Sequence, residues 1–333
     1  MREPKPFWWT AVIISVWILI ILLLLWWRFL VTPIASSEGL RFYVTPGMTA
    51  MRFAYQLKGQ APNTNVILLS WLMRFRGDDH RLKVGEYQFS PYSTPSDVLN
   101  QVRAGSNIYH NFTIINGWNM YDVMKALESD TDIQHTLQGQ DFAQIAKAIG
   151  VKQNSPEGWL YPDTYFFRWD ATDVSILKRA YDGMQKHLQT AWDKRAKNLP
   201  YRSPYQALIV ASMVEKETAD SREKSIIAAV ILQRLKIWMH LQIDASVIYG
   251  LEPHFSGQLN KADLAIETPY NTYKNYGLPP TPIAMPGPNA IHAALHPADT
   301  DYLYYVAKGD GTHAFSKTLA EQNAAVKKYL VGR

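Results

Sequence analysis

Between Phe7 and Val31 the chain reads FWWTAVIISVWILIILLLLWWRFLV, with no charge before Arg28 and only Thr10 and Ser15 as polar interruptions. A helix of that length crosses the hydrocarbon core of a bilayer. Trp8 and Trp9 at one end, with Trp26 and Trp27 at the other, stand where aromatic belts meet the two interfaces. A cleaved signal peptide would carry a shorter apolar region and a small-residue cleavage site, and neither is evident. The expectation is a transmembrane helix at 7–31 behind a short cytoplasmic tail, residues 1–6. Arg2 and Lys5 in that tail compete with Arg28 and Arg41 beyond the span, but a short basic leading segment favours the N-terminus inside. Everything after about Thr32 then lies outside the cytoplasm.

The sequence has 333 residues, more than one compact core usually takes, which leaves room for an anchor plus two or more folded units. Its formal charge of +5 is spread without any run of five basic residues, which disfavours nucleic acid as a partner. Trp and Tyr are plentiful, at 11 and 19. They stack on sugars but equally fill cores and interfaces, so composition alone does not decide for carbohydrate. With no cysteine there can be no disulfide, thiolate metal site or cysteine nucleophile.

Residues 39–105 read as a small α/β unit. A strand at 41–44 meets a turn at Pro46 and Gly47, and Thr49 can cap a helix to about Lys58. A second helix fits 63–75, with Val66, Leu69, Trp71, Leu72 and Phe75 as its apolar side. Gly85 leads into a strand at 86–89, and Thr94 with Pro95 opens a further helix. The βααβ order resembles a LysM-type module, a fold that elsewhere binds N-acetylglucosamine-containing chains. From residue 106 to 333 a mixed α/β domain is expected. It opens with a strand, a turn at Gly117 and an amphipathic helix, and continues through EGWLYPDTYFF to a helix over 173–192 whose apolar residues recur every three or four positions. The fold class is α+β.

The chemistry concentrates further on. Ser203 and Pro204 start a helix, YQALIVASMVEKET, that is apolar on nearly every side and should be buried. Glu215 and Glu217 sit at its C-terminal end, the wrong end of the helix dipole for an anion. At 100° per residue they point to roughly opposite sides, so both cannot serve one bond. One of them is expected to be structural, paired with a Lys or Arg. Both continue largely apolar stripes, and periodicity does not choose between them. A carboxyl against such a surface is desolvated, which raises its pKa and suits it to donate a proton near neutrality. Asp220 and Glu223 then stand in capping-box spacing ahead of another helix. MHLQID alternates apolar and polar residues like a half-buried strand, with Gln242 and Asp244 on the polar face. The Pro-, Gly-, Tyr- and Asn-rich run TPYNTYKNYGLPPTPIAMPGP is expected to be an ordered functional loop.

The strings VEKET (214–218), Arg234 with Leu235, LQID with VIYG, YNTYKNYGLPP, Pro286 with Gly287, YLYYVAKGDGTHAF and EGWLYPDTY resemble the endolytic murein transglycosylases of the YceG-like family. The likeness runs from the anchor to about Asn323. It implies a lytic transglycosylase that cleaves MurNAc-GlcNAc bonds of nascent peptidoglycan strands, leaving 1,6-anhydroMurNAc ends. In the family the second Glu of VEKET is catalytic, here Glu217. The resemblance further implies a single pass through a bacterial inner membrane with a periplasmic catalytic domain, contact with membrane-bound peptidoglycan synthases, and no cofactor or metal. Gln233, Ala245, Thr281 and Gln322 depart from the usual Asn, Pro, Gly and His.

Hydrolytic glycosidases generally need two carboxylates, whereas a lytic transglycosylase needs one. Its Glu protonates the leaving oxygen and then takes the proton of the sugar's own C6 hydroxyl. Beside Glu217, the groups expected to hold the sugar are Glu157, Gln242, Asp244, Tyr249, Tyr270, Asn271, Tyr273 and His313. The rival readings are a muramidase pairing Glu217 with Asp244 or Glu157, and a non-enzymatic scaffold binding peptidoglycan through the LysM-like unit. A metal enzyme is disfavoured, because His292 and His296 lack the HExxH arrangement and Pro297 follows directly.

Overall fold

A computed structural model describes residues 7–105, 108–255 and 257–331. The expected cytoplasmic tail, residues 1–6, lies outside them. The chain divides into two compact units, Met1–His110 and Asn111–Arg333.

The first unit begins with α1 (Phe7–Val31), long and apolar enough to cross a membrane and exposed from Trp8 to Leu25. Strand β1 (Leu40–Val44) pairs antiparallel with β2 (Gly85–Phe89), Leu40 opposite Phe89 and Val44 opposite Gly85. Between them lie α2 (Ala50–Gln60) and α3 (Val66–Arg76), and α4 (Pro95–Ala104) follows. Capping fixes the helix starts: Thr49 accepts from Arg52 N, Asn65 from Leu68 N, and Thr94 forms a capping box with Asp97. The strand–helix–helix–strand order is as expected. The second helix starts three residues later than its apolar pattern suggests, because Asn65 serves as the cap. Phe42, Phe53, Leu57, Leu69, Met73, Tyr87, Phe89 and Leu99 fill the core. Trp71 and Phe75 do not join it. Both are exposed, and Met73 faces inward instead.

The second unit starts within β3 (His110–Thr113), which is paired with β4 (Thr164–Phe167). Between these strands stand α5 (Met120–Ser129), capped by Asn119, and α6 (Phe142–Ile149), capped by Asp141. The helical layers follow: α7 (Asp173–Asp193), α8 (Pro204–Glu217) and α9 (Lys224–Lys236), then the short α10 (Asp244–Leu251) and α11 (Pro288–Leu295). A hairpin of β5 (Tyr304–Ala307) and β6 (His313–Ser316) precedes α12 (Leu319–Val326). Helix α8 is the centre of the core, with every residue from Ala207 to Val214 buried. An apolar surface all round requires cover on all sides, and α7, α9 and α11 provide it.

Two expectations fail here. MHLQID is not a strand: the segment is extended, Gln242 takes a left-handed φ of 52°, and α10 begins at Asp244. Its alternation of buried Leu241 and Ile243 with exposed Gln242 and Asp244 is real, since any extended backbone shares the period of two. Asp220 and Glu223 form no capping box either. Asp220 binds Arg222, and the Glu223 side chain leaves the helix for β6.

Candidate active site

Glu217 is the last residue of α8, where the helix dipole already disfavours an anion. Its Oε2 accepts a 2.6 Å hydrogen bond from Tyr305 Oη on β5. Burial pushes the Glu217 carboxyl above the usual carboxylate range. The Tyr305 bond pulls it down, the charge of Asp244 adds to the rise, and His313 and Arg234 oppose it. Burial also holds the Tyr305 hydroxyl well above its ordinary pKa, so it remains a donor at neutral pH. Among the described residues no protein group donates to Oε1 of Glu217.

The neighbours are each held by a second group. Asp244, at the first turn of α10, accepts from Tyr273 Oη at 2.5 Å. His313 is pinned by Glu223, whose carboxylate takes its backbone N–H at 2.9 Å and contacts Nδ1 at 2.7 Å. The His313 ring meets that of Tyr305 edge-on, centroids 5.6 Å apart. Arg234 is buried and reaches two segments at once, donating from Nε to Leu303 O at 2.7 Å and from Nη1 to Leu241 O at 2.6 Å. It thereby ties the strand carrying Tyr305 to the segment carrying Asp244. Gln322 donates to the backbone oxygen of Tyr305, so this departure from the usual His still supports the strand.

Glu215, two residues before Glu217, is the structural member of the pair. It accepts from Lys224 Nζ at 2.9 Å and from Gly287 N at 2.9 Å, with little of either side chain exposed. The backbone of Gly287 comes close because it has no side chain: a Cβ there would lie 2.6 Å from Asn116 Oδ1.

The expected sugar-facing residues fall into separate places. Asp244, Tyr273 and His313 gather around Glu217, and Gln242 is exposed just ahead of Asp244. Glu157, Tyr249 and Tyr270 form another cluster. Tyr249 lies close enough to Glu157 for the two to interact electrostatically, and its ring packs 4.8 Å from that of Tyr270, whose hydroxyl meets Thr281 at 3.0 Å. The expectation for Glu157 is corrected. It is fully buried, accepts from Met120 N, and is pushed up to about 8 by burial, so it presents no surface to a sugar. Asn271 is corrected likewise. It is fully buried, and its amide is consumed by Leu264 O, Ile266 O and Tyr273 N. Sequence reasoning missed Tyr305, Arg234 and Glu223. Two of them lie in strings singled out as motifs, YLYYVAKGDGTHAF and Arg-Leu, but nothing local marks which side chain turns inward.

His292 and His296 stack on one another, and the ring nitrogens of His296 lie against the carbonyl oxygens of His292 and Lys194. At the end of α8 in this α+β fold, the Glu217 carboxyl thus stands with one hydroxyl donor, Tyr305, and with flanking charges of both signs from Asp244 and Arg234. The chain belongs to the YceG-like family, whose pattern it matches over residues 42–328. It is 42% identical over 175 residues to an endolytic murein transglycosylase of Bacillus subtilis (strain 168), covering 52% of this chain and 48% of that protein. It is 28% identical over 264 residues to an endolytic murein transglycosylase of Streptococcus pneumoniae serotype 2, covering 68% of this chain and 46% of that protein. The matches thus span about half the length of these curated relatives. A crystal structure of a YceG-like protein from Listeria monocytogenes aligns with a TM-score of 0.54 at 26% identity, over 87% of this chain and 99% of that one.

Proposed function

We propose that this chain is an endolytic lytic transglycosylase that cuts MurNAc-GlcNAc bonds in nascent peptidoglycan strands, with Glu217 as acid and then base. The observation that carries the reading is the half-buried Glu217 carboxyl, raised above the usual carboxylate range and held at Oε2 by Tyr305, which leaves Oε1 for a substrate. Protonated Glu217 gives its proton to the glycosidic oxygen as the bond from C1 to that oxygen breaks. The C6 hydroxyl of the same muramoyl sugar then bonds to C1, and the Glu217 carboxylate takes the hydroxyl proton. The ring closes as a 1,6-anhydro sugar, Glu217 is protonated again, and no water is consumed. Asp244, held by Tyr273, is proposed to offset with its negative charge the positive charge developing at C1. Gln242, exposed beside it, and His313 are proposed to hold the sugar.

One observation favours a second reading. Asp244 is close enough to Glu217 to raise its pKa, so the two could act as the carboxylate pair of a hydrolase. Mass spectrometry of products from purified murein separates the readings: anhydro ends support the transglycosylase, and reducing ends support the hydrolase. A scaffold without activity would give neither product. The names of the curated relatives support the first reading.

We further propose that α1 anchors the chain in the inner membrane with its N-terminus in the cytoplasm and residues 106–333, the catalytic domain, in the periplasm. Membrane-bound peptidoglycan synthases are the partners this placement suits. Residues 39–105 are proposed to be a LysM-like module, a reading supported by their βααβ order and antiparallel strand pair.

A further inference from the structure

We infer that α3 is seated in the phospholipid headgroup layer on the side of the bilayer where α1 emerges. This rests on the reading of α1 as a membrane span.

The end of α1 is not a loose tether. Phe29 is buried in the core of the first unit together with Ile34 and Ala35, and Trp26 and Leu30 pack against that core. The connection is fastened by Ile34 N, which donates to Ser93 O at 2.8 Å. A span that enters a folded core without a flexible joint fixes which face of that core meets the membrane.

That face is marked. Trp26 and Trp27 end the apolar run, at the level where indoles sit in the interface. The ring of Phe75 meets Trp26 edge-on at 6.4 Å, and Trp71 meets Phe75 edge-on at 6.4 Å. Phe75 therefore stands at the height of the belt. Ile67, Trp71 and Phe75 are 63%, 52% and 77% exposed, and they recur every four residues, so they form one uncovered apolar stripe along α3. Their inner counterparts Val66, Leu69, Leu72 and Met73 already supply the core. The outward stripe thus adds nothing to folding and matches the apolar face of an interfacial helix.

A cation completes the fit. Arg74 lies between Trp71 and Phe75, and the three line a depression of about 300 Å³. Arg74 has no carboxylate partner among the described residues, whereas its neighbour Arg76 is taken by Asp78 and Asn100. An unpaired guanidinium beside two aromatic rings at the interface suits a lipid phosphate.

The absence of cysteine makes the test direct. Nitroxide labels at Phe75→Cys, Trp71→Cys and, as a control in the span, Leu22→Cys are placed in the full chain. The chain is reconstituted in vesicles of phosphatidylethanolamine and phosphatidylglycerol, and collision with oxygen is compared with collision with a water-soluble nickel chelate. Positions 71 and 75 are more than half exposed, so labelling leaves the core intact, and thermal melting checks this. The expected result is a deep-membrane signal at 22 and a headgroup-depth signal at 71 and 75, with the latter moving towards water when Arg74→Glu is added. Fully aqueous labels at 71 and 75 beside a deep label at 22 overturn this inference while leaving the span intact. An aqueous label at 22 overturns the span itself and the inference with it.

Discussion

Tyr305 on β5 and Glu217 at the end of α8 are joined by a 2.6 Å hydrogen bond across 88 residues of sequence. In the proposed acid–base cycle the bond would serve both halves. Burial raises the carboxyl above the usual carboxylate range, in the direction a general acid requires, and the hydroxyl would stabilise the carboxylate once the proton has gone. Without the tyrosine, the group would be a ready acid but a poorly supported anion.

Tyr305→Phe should therefore slow turnover by roughly 10- to 100-fold, the range for losing a hydrogen bond to a charged group. Removing a donor that favours the charged form also raises the Glu217 pKa further. The alkaline limb of the rate profile should move to higher pH. Rates of anhydro-muropeptide release between about pH 5 and 9 check this, and a uniform loss with an unshifted limb would count against the pairing.

Glu157 gives a stability prediction. Its carboxyl is raised from 4.5 to about 8 in the folded chain, chiefly by burial. The folded state then holds a proton that the unfolded state releases above 4.5. Stability is fully present below that pH and falls as pH rises towards 8, by an amount on the order of 5 kcal/mol. Glu157→Gln stays neutral and can still accept from Met120 N. It should match the parent near pH 4.5 and melt higher than the parent at pH 8. Urea titrations at the two pH values measure the difference.

Arg234→Lys tests the clamp between Leu303 and Leu241. A lysine has one nitrogen and no planar fork, so it cannot donate to both carbonyls in the observed geometry. It should lose about 1 to 3 kcal/mol of stability, the cost of leaving a buried acceptor without a partner. Activity should fall further than the melting temperature alone would suggest, because Tyr305 and Asp244 are no longer held in register. Equal activity per folded molecule would show that the clamp serves stability only.

The elements that the sequence made legible are those with strong local rules. The all-apolar α8 had to be buried, Thr49 and Thr94 had to begin helices, and carboxylates two apart on a helix could not share one face. What stayed hidden depends on distant partners. Nothing near Tyr305 says that it, rather than Tyr302 or Tyr304, turns towards a glutamate 88 positions back. Asn271 looked like a sugar-binding amide, but the backbone oxygens of its own irregular loop use the same donors. Glu223 had the spacing of a cap and became the holder of His313 instead. Trp71 and Phe75 fit the apolar period of α3, and period alone does not tell a core face from a face turned outward.

The sharpest prediction separates the two glutamates of VEKET. Glu217→Gln keeps the side-chain volume and an acceptor for Tyr305 but cannot give up a proton, so the chemical step should fall by about two to four orders of magnitude. Binding to murein should survive, and melting should not drop, since a neutral amide replaces a carboxyl whose charged form burial disfavours. Glu215→Gln should do the reverse. It strands the buried ammonium of Lys224, which costs roughly 3 to 5 kcal/mol, while the fraction that remains folded should retain turnover. Anhydro-muropeptide release and thermal melting are measured for both variants and for Glu215→Gln combined with Lys224→Met. Removing the stranded charge should recover part of the lost stability. If a well-folded Glu215→Gln is inactive while Glu217→Gln works normally, the roles are exchanged. If both remain active, neither carboxyl moves the proton, because nothing in a glutamine at either position can replace it.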